Sequence, residues 1–193
     1  MKKVTDFLRP NILIVLGALL FLYYLNYLSY EGSALAIGII AVVLSAYYLA
    51  IGIVGVLLSN KLNQLVKKIF EVVSVSLFGA FMFTVTLILI INAAKIEDFL
   101  GPTGWIIGIL TMVASIALIG VYALARFLNK EIFVRLAYLF SAIFALVLLL
   151  NVLFDISGNS IVLGSLDILL VAIYASFTFY LFNSLVKPES AAE

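Results

Sequence analysis

The sequence predicts an all-α polytopic membrane protein with six transmembrane helices. It is 66% hydrophobic and only 11% charged, whereas soluble domains are about 45–50% apolar and about 25% charged. Its apolar residues fall into six runs, each long enough to cross a hydrocarbon core of about 30 Å. Such long continuous runs favour helices over barrel strands, because backbone groups in lipid must be satisfied within their own segment.

We predict that residues 1–193 form one membrane domain, in which short connections join the helices. The first run follows a basic start, as in a signal peptide, but no small-x-small cleavage site and soluble domain follow it. We therefore interpret it as a retained span. In chain order, the expected spans cover about 11–29, 33–58, 69–94, 103–126, 132–154 and 160–186.

The connections between the spans alternate in charge. The first, third and fifth carry the acidic residues Glu31, Glu97, Asp98 and Asp155. Ten of the eleven basic residues lie on the opposite side, and the positive-inside rule makes that side, with both termini, cytoplasmic. These ten are Lys2, Lys3, Arg9, Lys61, Lys67, Lys68, Arg126, Lys130, Arg135 and Lys187.

Several chemistries are excluded by missing residue types. The chain has no cysteine and no histidine, which removes thiolate nucleophiles, thiolate metal sites and the commonest general base and transition-metal ligand. Walker-type, HExxH and GxSxG motifs are also missing. We therefore expect no cofactor and no enzymatic activity. The net charge of +1 gives no reason to expect a nucleic-acid partner.

A small residue stands four positions before a glycine at the start of each even-numbered span. Residues four apart share one helix face, and small ones let two helices approach closely in lipid. The three pairs are Ala34 with Gly38, Gly104 with Gly108, and Ser160 with Gly164. This pattern predicts helix packing through Gly38, Gly104, Gly108 and Gly164.

The odd-numbered spans repeat in part. Gly79-Ala80 and Ser141-Ala142 fall at nearly the same offset within the third and fifth spans. We interpret the chain as three helical hairpin repeats, about 1–60, 61–128 and 129–193. The alternative is that the matches arise by chance, since apolar runs alone carry little information.

The even-numbered spans share a longer pattern. It is formed by Ile37-Gly38-Ile39 with Val42 and Ser45, by Ile107-Gly108-Ile109 with Ser115, and by Leu163-Gly164 with Tyr174. With three hairpins and about 190 residues, the chain resembles the HdeD-like acid-resistance membrane proteins, although its outward turns carry a proline only at Pro102. The resemblance implies a non-enzymatic bacterial inner-membrane protein linked to stress response or acting as a scaffold.

Asp167 suggests an alternative function in transport. An intramembrane carboxylate costs about 2.5–3.5 kcal/mol and usually faces a bundle interior or a wet cavity. The chain would then be a small transporter, a channel or a substrate-binding membrane subunit, with a polar site formed by Asp167, Ser45, Tyr48, Thr111, Ser115 and Tyr174. The simpler interpretation places Asp167 near the outer interface with a local hydrogen bond, and the tyrosines in an ordinary core.

The partners expected from the sequence are lipid and further copies of the chain. The bilayer itself covers the apolar surface. The basic connections around Lys61 to Lys68 and Arg126 to Arg135 are candidates for binding anionic lipid headgroups, or serve only to set the topology. The small-residue faces are compatible with a homo-oligomer.

Overall fold

The fold is an all-α bundle, as predicted. A computed structural model describes residues 2–58, 61–93, 101–128, 130–158 and 165–185, and the side chains of residues 11–58, 61–92, 103–128, 130–153 and 168–185. The helices are α1 (Lys2–Tyr24), α2 (Ser33–Leu58), α3 (Gln64–Ala93), α4 (Gly101–Leu128), α5 (Glu131–Gly158) and α6 (Ser165–Leu185). A short 3₁₀ turn, Leu25–Ser29, continues α1.

The predicted number of spans is confirmed. The segments long and apolar enough to cross a membrane are Asn11–Ser29, Ser33–Leu58, Gln64–Asn92, Thr103–Leu128, Glu131–Leu153 and Ile168–Leu185. The third span begins at Gln64, five residues before the expected 69. With 30 residues, α3 is about 45 Å long at 1.5 Å per residue. It therefore outreaches the hydrocarbon core, and its first turn can carry the charges of Lys67 and Lys68.

Local sequence signals set the helix starts at two connections. Before α2, Gly32 has a φ of +65°, a left-handed conformation that costs glycine little and other residues more. Before α3, the Asn63 side-chain oxygen accepts a hydrogen bond from the Leu65 backbone N–H at 3.3 Å. That bond satisfies one of the donors left open at a helix N-terminus. Each feature marks the point at which the next helix begins.

The six helices form a closed ring in chain order. Each helix packs on its neighbours along the chain, and α6 returns to pack on α1. The α1–α2 pair is the most extensive, α4–α5 and α3–α4 follow, and α2–α3 is the sparsest of these contacts. Among the described residues, the α5–α6 pair, which the repeat interpretation makes a hairpin, packs less extensively than α4–α5. The hairpin repeat stays a prediction.

Aromatic rings fill the interior of the ring of helices. Phe78 of α3 and Phe177 of α6 stack with their centroids 3.7 Å apart. Phe144 of α5 meets Phe177 edge to face at 6.0 Å. All three side chains are almost completely buried, as are Tyr48 and Tyr122. Aromatic side chains from α3, α5 and α6, which are not all neighbours in the ring, thus meet at the centre of the bundle.

The outer surface is aliphatic. Large side chains such as Val43 (66% exposed), Leu57 (73%) and Ile132 (63%) point away from the bundle. In water such a surface would drive aggregation, whereas in a bilayer it contacts acyl chains. The two ends differ in charge: exposed Glu31 lies at one, called the acidic end, and exposed Lys61, Lys67, Lys130 and Arg135 lie at the other, called the basic end.

A glycine brings α1 and α2 into close contact. A Cβ atom added to Gly17 would lie 2.8 Å from the Ser45 carbonyl oxygen and 3.0 Å from the Leu49 backbone nitrogen. The same contact recurs between α3 and α4, where a Cβ on Gly79 would lie 2.9 Å from the Ile119 side chain and 3.4 Å from the Ser115 carbonyl oxygen. Glycine at these positions removes the atoms that would hold the helices apart.

The third hairpin differs at the corresponding position. Ser141 aligns with Gly79 in the predicted repeat, so a side chain stands where the other hairpins have none. Ser141 is completely buried, and its hydroxyl has no hydrogen-bond partner among the described residues.

The predicted packing glycines lie in two kinds of contact. Gly38 faces the turn after α1, with its would-be Cβ 3.0 Å from the Tyr27 Cβ. Gly108 faces α3, with its would-be Cβ 3.1 Å from the Ile90 side chain. Gly104 is buried, and Gly164 lies outside the described residues.

Candidate functional site

A buried ion pair lies at the basic end of the bundle. The Arg126 guanidinium of α4 donates a hydrogen bond to the Glu71 carboxylate of α3. Their side chains are only 14% and 11% exposed, respectively. In an environment of low dielectric, a charged group is stable only with a partner. The pair therefore joins α3 to α4, and separating the two charges would cost free energy.

Hydrogen-bonded tyrosine hydroxyls lie next to the ion pair, on the side towards the middle of the bundle. The Tyr48 hydroxyl of α2 donates to the Ser74 carbonyl oxygen of α3 at 2.6 Å, and the hydroxyls of Tyr47 and Ser74 are 3.3 Å apart. The Tyr122 hydroxyl of α4 donates to the Ser184 hydroxyl oxygen of α6 at 2.6 Å. These bonds link α2 to α3 and α4 to α6.

The hydrogen-bonded hydroxyls and the ion pair form one layer, because Ser74 and Tyr122 each lie one helical turn from a member of the pair. Ser74 follows Glu71 by three residues, and Tyr122 precedes Arg126 by four; residues so spaced share a helix face. We call this set the inner polar layer; it consists of Tyr48, Glu71, Ser74, Tyr122, Arg126 and Ser184. The layer ties four helices together near the basic end.

A second polar contact lies in the half of the bundle towards the acidic end. The Asn151 amide of α5 donates to the Thr111 hydroxyl oxygen of α4 at 2.8 Å and to the Val147 carbonyl oxygen of its own helix at 2.9 Å. Thr111 in turn donates to the Ile107 carbonyl oxygen at 2.8 Å. The hydroxyl proton of Thr111 is therefore donated to a group within the bundle.

The sequence-predicted site residues are distributed over these contacts. Ser45 and Ser115 donate to carbonyl oxygens of their own helices, at Val42 (2.8 Å) and Thr111 (2.7 Å). Together with the bonds of Tyr48 and Thr111, this leaves the four hydroxyls only acceptor capacity towards a ligand. The structure brings Thr111 and Ser115 onto one face of α4, while Tyr48 belongs to the inner polar layer.

The other two predicted site residues, Tyr174 and Asp167, belong to α6. Tyr174 of α6 is half-buried and packs against the hydrophobic core. Asp167 stands in the first turn of α6, and its side chain lies outside the described residues. The residues around Gly164 and the acidic residues Glu97 and Asp98 also lie outside them.

Sequence reasoning did not pair Glu71 with Arg126. The two residues are 55 positions apart in the chain, and only Arg126 belongs to one of the basic connections identified in the sequence. A signal was present: Glu71 falls inside the expected span 69–94, and Arg126 is the last residue of the expected span 103–126. Both residues thus lie near the basic ends of apolar runs, where a buried charge of either sign requires an opposite partner.

The described carboxylates do not gather into groups of three that could hold a metal ion. Comparison of the chain with protein-family models, with curated proteins and with solved structures finds no match. The geometry of its own side chains is therefore the basis for assigning a function.

Proposed function

We propose that the protein is a non-enzymatic, multi-pass protein of the bacterial inner membrane, of the HdeD-like type, and that it acts as a scaffold in stress tolerance. The observation that carries the proposal is the filled interior. Phe78, Phe144 and Phe177 meet at the centre of the ring of helices. A bundle packed in this way presents its surface, rather than an internal site, to other molecules.

The internal hydrogen bonds support the same function. Tyr48, Tyr122, Thr111 and Ser115 each donate to a group of the bundle itself. A transporter of the alternative kind would instead need polar groups turned towards a cavity that reaches Asp167 from one side. Bonds closed within the bundle stabilise a fixed arrangement of helices, which is the property that a scaffold needs.

The orientation proposed for the protein has the basic end in the cytoplasm. Lys61, Lys67, Lys130 and Arg135 are exposed at that end, whereas Glu31 is exposed at the other. Because lysine and arginine are retained on the cytoplasmic side during insertion, this distribution supports the proposal that both termini are cytoplasmic.

Single cysteines provide a sharp test of the packed interior, because the natural chain has none. In cells that express Thr111→Cys or Ser115→Cys, a membrane-impermeant thiol reagent is expected to leave both cysteines unlabelled, before and after the membrane is permeabilised. Both side chains are completely buried. Serine-to-cysteine at position 115 is close to isosteric, and threonine-to-cysteine at position 111 removes one methyl group. Labelling is measured as the mass added to the purified chain.

Two exposed positions serve as controls for this experiment. Glu31→Cys should label in intact cells, and Lys61→Cys only after permeabilisation, which also tests the proposed orientation. Labelling of Thr111→Cys from one side of the membrane would contradict the packed interior and favour transport. Reversal of the two controls would contradict the orientation alone.

The role in stress tolerance needs a separate physiological test. A strain that lacks the protein should survive an acid challenge less well than its parent, by roughly tenfold or more, and the natural chain should restore survival. Restoration by Thr111→Cys would agree with a function that uses no internal site. Equal survival of the parent and the deletion strain would sink the stress proposal while leaving the packed interior untouched.

A further inference from the structure

A lateral groove lies between α2 and α3, which pack more sparsely among the described residues than any other consecutive pair of helices. The groove has a volume of about 310 Å³. Its lining includes Leu44 and Phe81, which are buried, and Val43 and Leu77, which are exposed. The groove therefore reaches from the core of the bundle to the aliphatic outer surface and is continuous with the surface that faces lipid.

Hydrogen bonds join α2 and α3 on both sides of the groove. Towards the acidic end, the Asn92 amide of α3 donates to the Ser33 hydroxyl oxygen of α2 at 2.8 Å. Towards the basic end, the Tyr48 hydroxyl of α2 donates to the Ser74 carbonyl oxygen of α3 at 2.6 Å. The described residues that line the groove lie between these two bonds in both helices. The bonds hold the helices together at the two ends of a gap that their side chains do not close.

The groove lies at the depth of the hydrocarbon core. Its lining in α2 extends from Ile40 to Tyr47, about 10 to 21 Å from the start of a helix that is about 38 Å long. Neither α2 nor residues 72–93 of α3 contain a charged side chain. The bilayer presents the terminal parts of its acyl chains at this depth, so the walls and the surrounding solvent are both apolar.

Packing gives a hydrocarbon chain a reason to stay in the groove. Helices associate in lipid through van der Waals contact, because the acyl chains outside are as apolar as the side chains. A gap between two helices forfeits such contacts along both of its walls. A flexible chain that enters from the bilayer makes them, and it needs no polar group to do so.

We propose that the groove binds the terminal part of one acyl chain of a membrane lipid, which completes the packing between α2 and α3. The chain enters sideways, since the groove opens on the lipid-facing surface. The headgroup lies outside the groove, so the site selects for hydrocarbon and not for a lipid class. This site is independent of the scaffold proposal, because a transporter with the same pair of helices would hold the same chain.

Photochemical labelling by lipid tests the site in vesicles that contain the purified full chain. The bulk lipid is phosphatidylcholine, and the probe is phosphatidylcholine with a diazirine at the end of one acyl chain. Mass spectrometry of fragments locates the adducts after illumination. Adducts on the groove should exceed those on the exposed residues Leu139 and Leu146 of α5 by at least about threefold.

Two further probes test the depth of the site and its indifference to the headgroup. A diazirine beside the ester group should give no excess in the groove, because that part of the lipid stays near the membrane surface. Phosphatidylglycerol with the terminal diazirine should give the same excess as phosphatidylcholine. An excess confined to phosphatidylglycerol would contradict the proposal and assign the binding to charge.

Two variants compare a filled groove with a matched surface change. Ala80→Leu adds a larger side chain to the lining of the groove and should reduce the excess several-fold. Ala142→Leu makes the same change at an exposed position of α5, which aligns with Ala80 in the predicted repeat, and should keep the excess. If Ala80→Leu does not purify as a single species, Thr84→Leu fills the groove from its other end.

Three outcomes would overturn the site. An even distribution of adducts over the lipid-facing surface of the natural chain would show that no chain is held in the groove. An unchanged excess in Ala80→Leu and Thr84→Leu would show that the adducts form outside it. Conversion of a dimer to a monomer by Ala80→Leu, with the adducts unaltered, would assign the groove to a second copy of the chain.

Discussion

Replacing Arg126 with methionine is expected to lower the free energy of unfolding by about 3–5 kcal/mol, because it removes the guanidinium that the buried Glu71 carboxylate binds. The two side chains are joined by a hydrogen bond and are both nearly inaccessible. Methionine keeps most of the apolar length of arginine, so the loss reports the missing charge rather than a missing stem. Unfolding in mixed micelles of increasing denaturing detergent, followed by the fluorescence of Trp105, measures the change.

The double variant Glu71→Leu with Arg126→Met should recover most of the lost stability. Replacing both members of a buried pair by apolar residues of similar size is often neutral or stabilising, since the desolvation cost of two charges disappears. Exposed Arg135 pairs with Glu131 at 2.7 Å within α5, where the side chains are 79% and 73% exposed. Arg135→Met should therefore cost less than about 1 kcal/mol.

A cost for Arg126→Met as small as that for Arg135→Met would mean that the Glu71–Arg126 pair contributes little to the fold. A double variant as unstable as the single one would instead assign the loss to packing around position 126. The comparison thus separates the electrostatic role of the pair from the volume of its side chains.

Replacing Gly17 with alanine is expected to destabilise the protein by about 1–3 kcal/mol, because the added methyl group has no room. Its carbon would lie 2.8 Å from the Ser45 carbonyl oxygen and 3.0 Å from the Leu49 backbone nitrogen. Backbone atoms of α2 cannot rotate aside as the end of a side chain can, so α1 and α2 must separate. The same detergent titration measures the loss.

Gly120→Ala provides the matched control within α4. A Cβ at that position would meet no atom within 4 Å, so alanine there should be neutral or stabilise the helix by up to about 1 kcal/mol. Gly79→Ala should fall between the two, because its closest neighbour is the movable Ile119 side chain. Equal stabilities of the Gly17 and Gly120 variants would show that the α1–α2 contact relaxes without cost.

The span boundaries were predictable because hydrocarbon thickness imposes a length on every apolar run. The second span, 33–58, was expected at its observed ends, Ser33 and Leu58. The third began five residues earlier than expected, since lysines at the membrane surface do not interrupt a helix. Hydropathy locates the apolar core of a helix, and it does not report how far the helix continues into the headgroup region.

The polar contacts were less predictable. Hydropathy assigns a depth to Thr111 and Asn151 but not the direction in which each side chain points around its helix. Their hydrogen bond joins positions 40 apart, and the Tyr122–Ser184 bond joins positions 62 apart. A candidate site built from sequence alone therefore collected hydroxyls of similar character that the bundle assigns to separate contacts.

The sequence by itself determined the fold class, the number of helices, the approximate depth of each polar residue and the charge of each end. These properties follow from the energy of transferring groups into lipid, which each segment meets alone. Only the tertiary structure decided that the helices close into a ring, that Glu71 binds Arg126, and that the α2–α3 contact leaves a groove. Helix association in lipid depends on the fit of facing side chains and on hydrogen bonds between distant segments, and neither is a property of one segment.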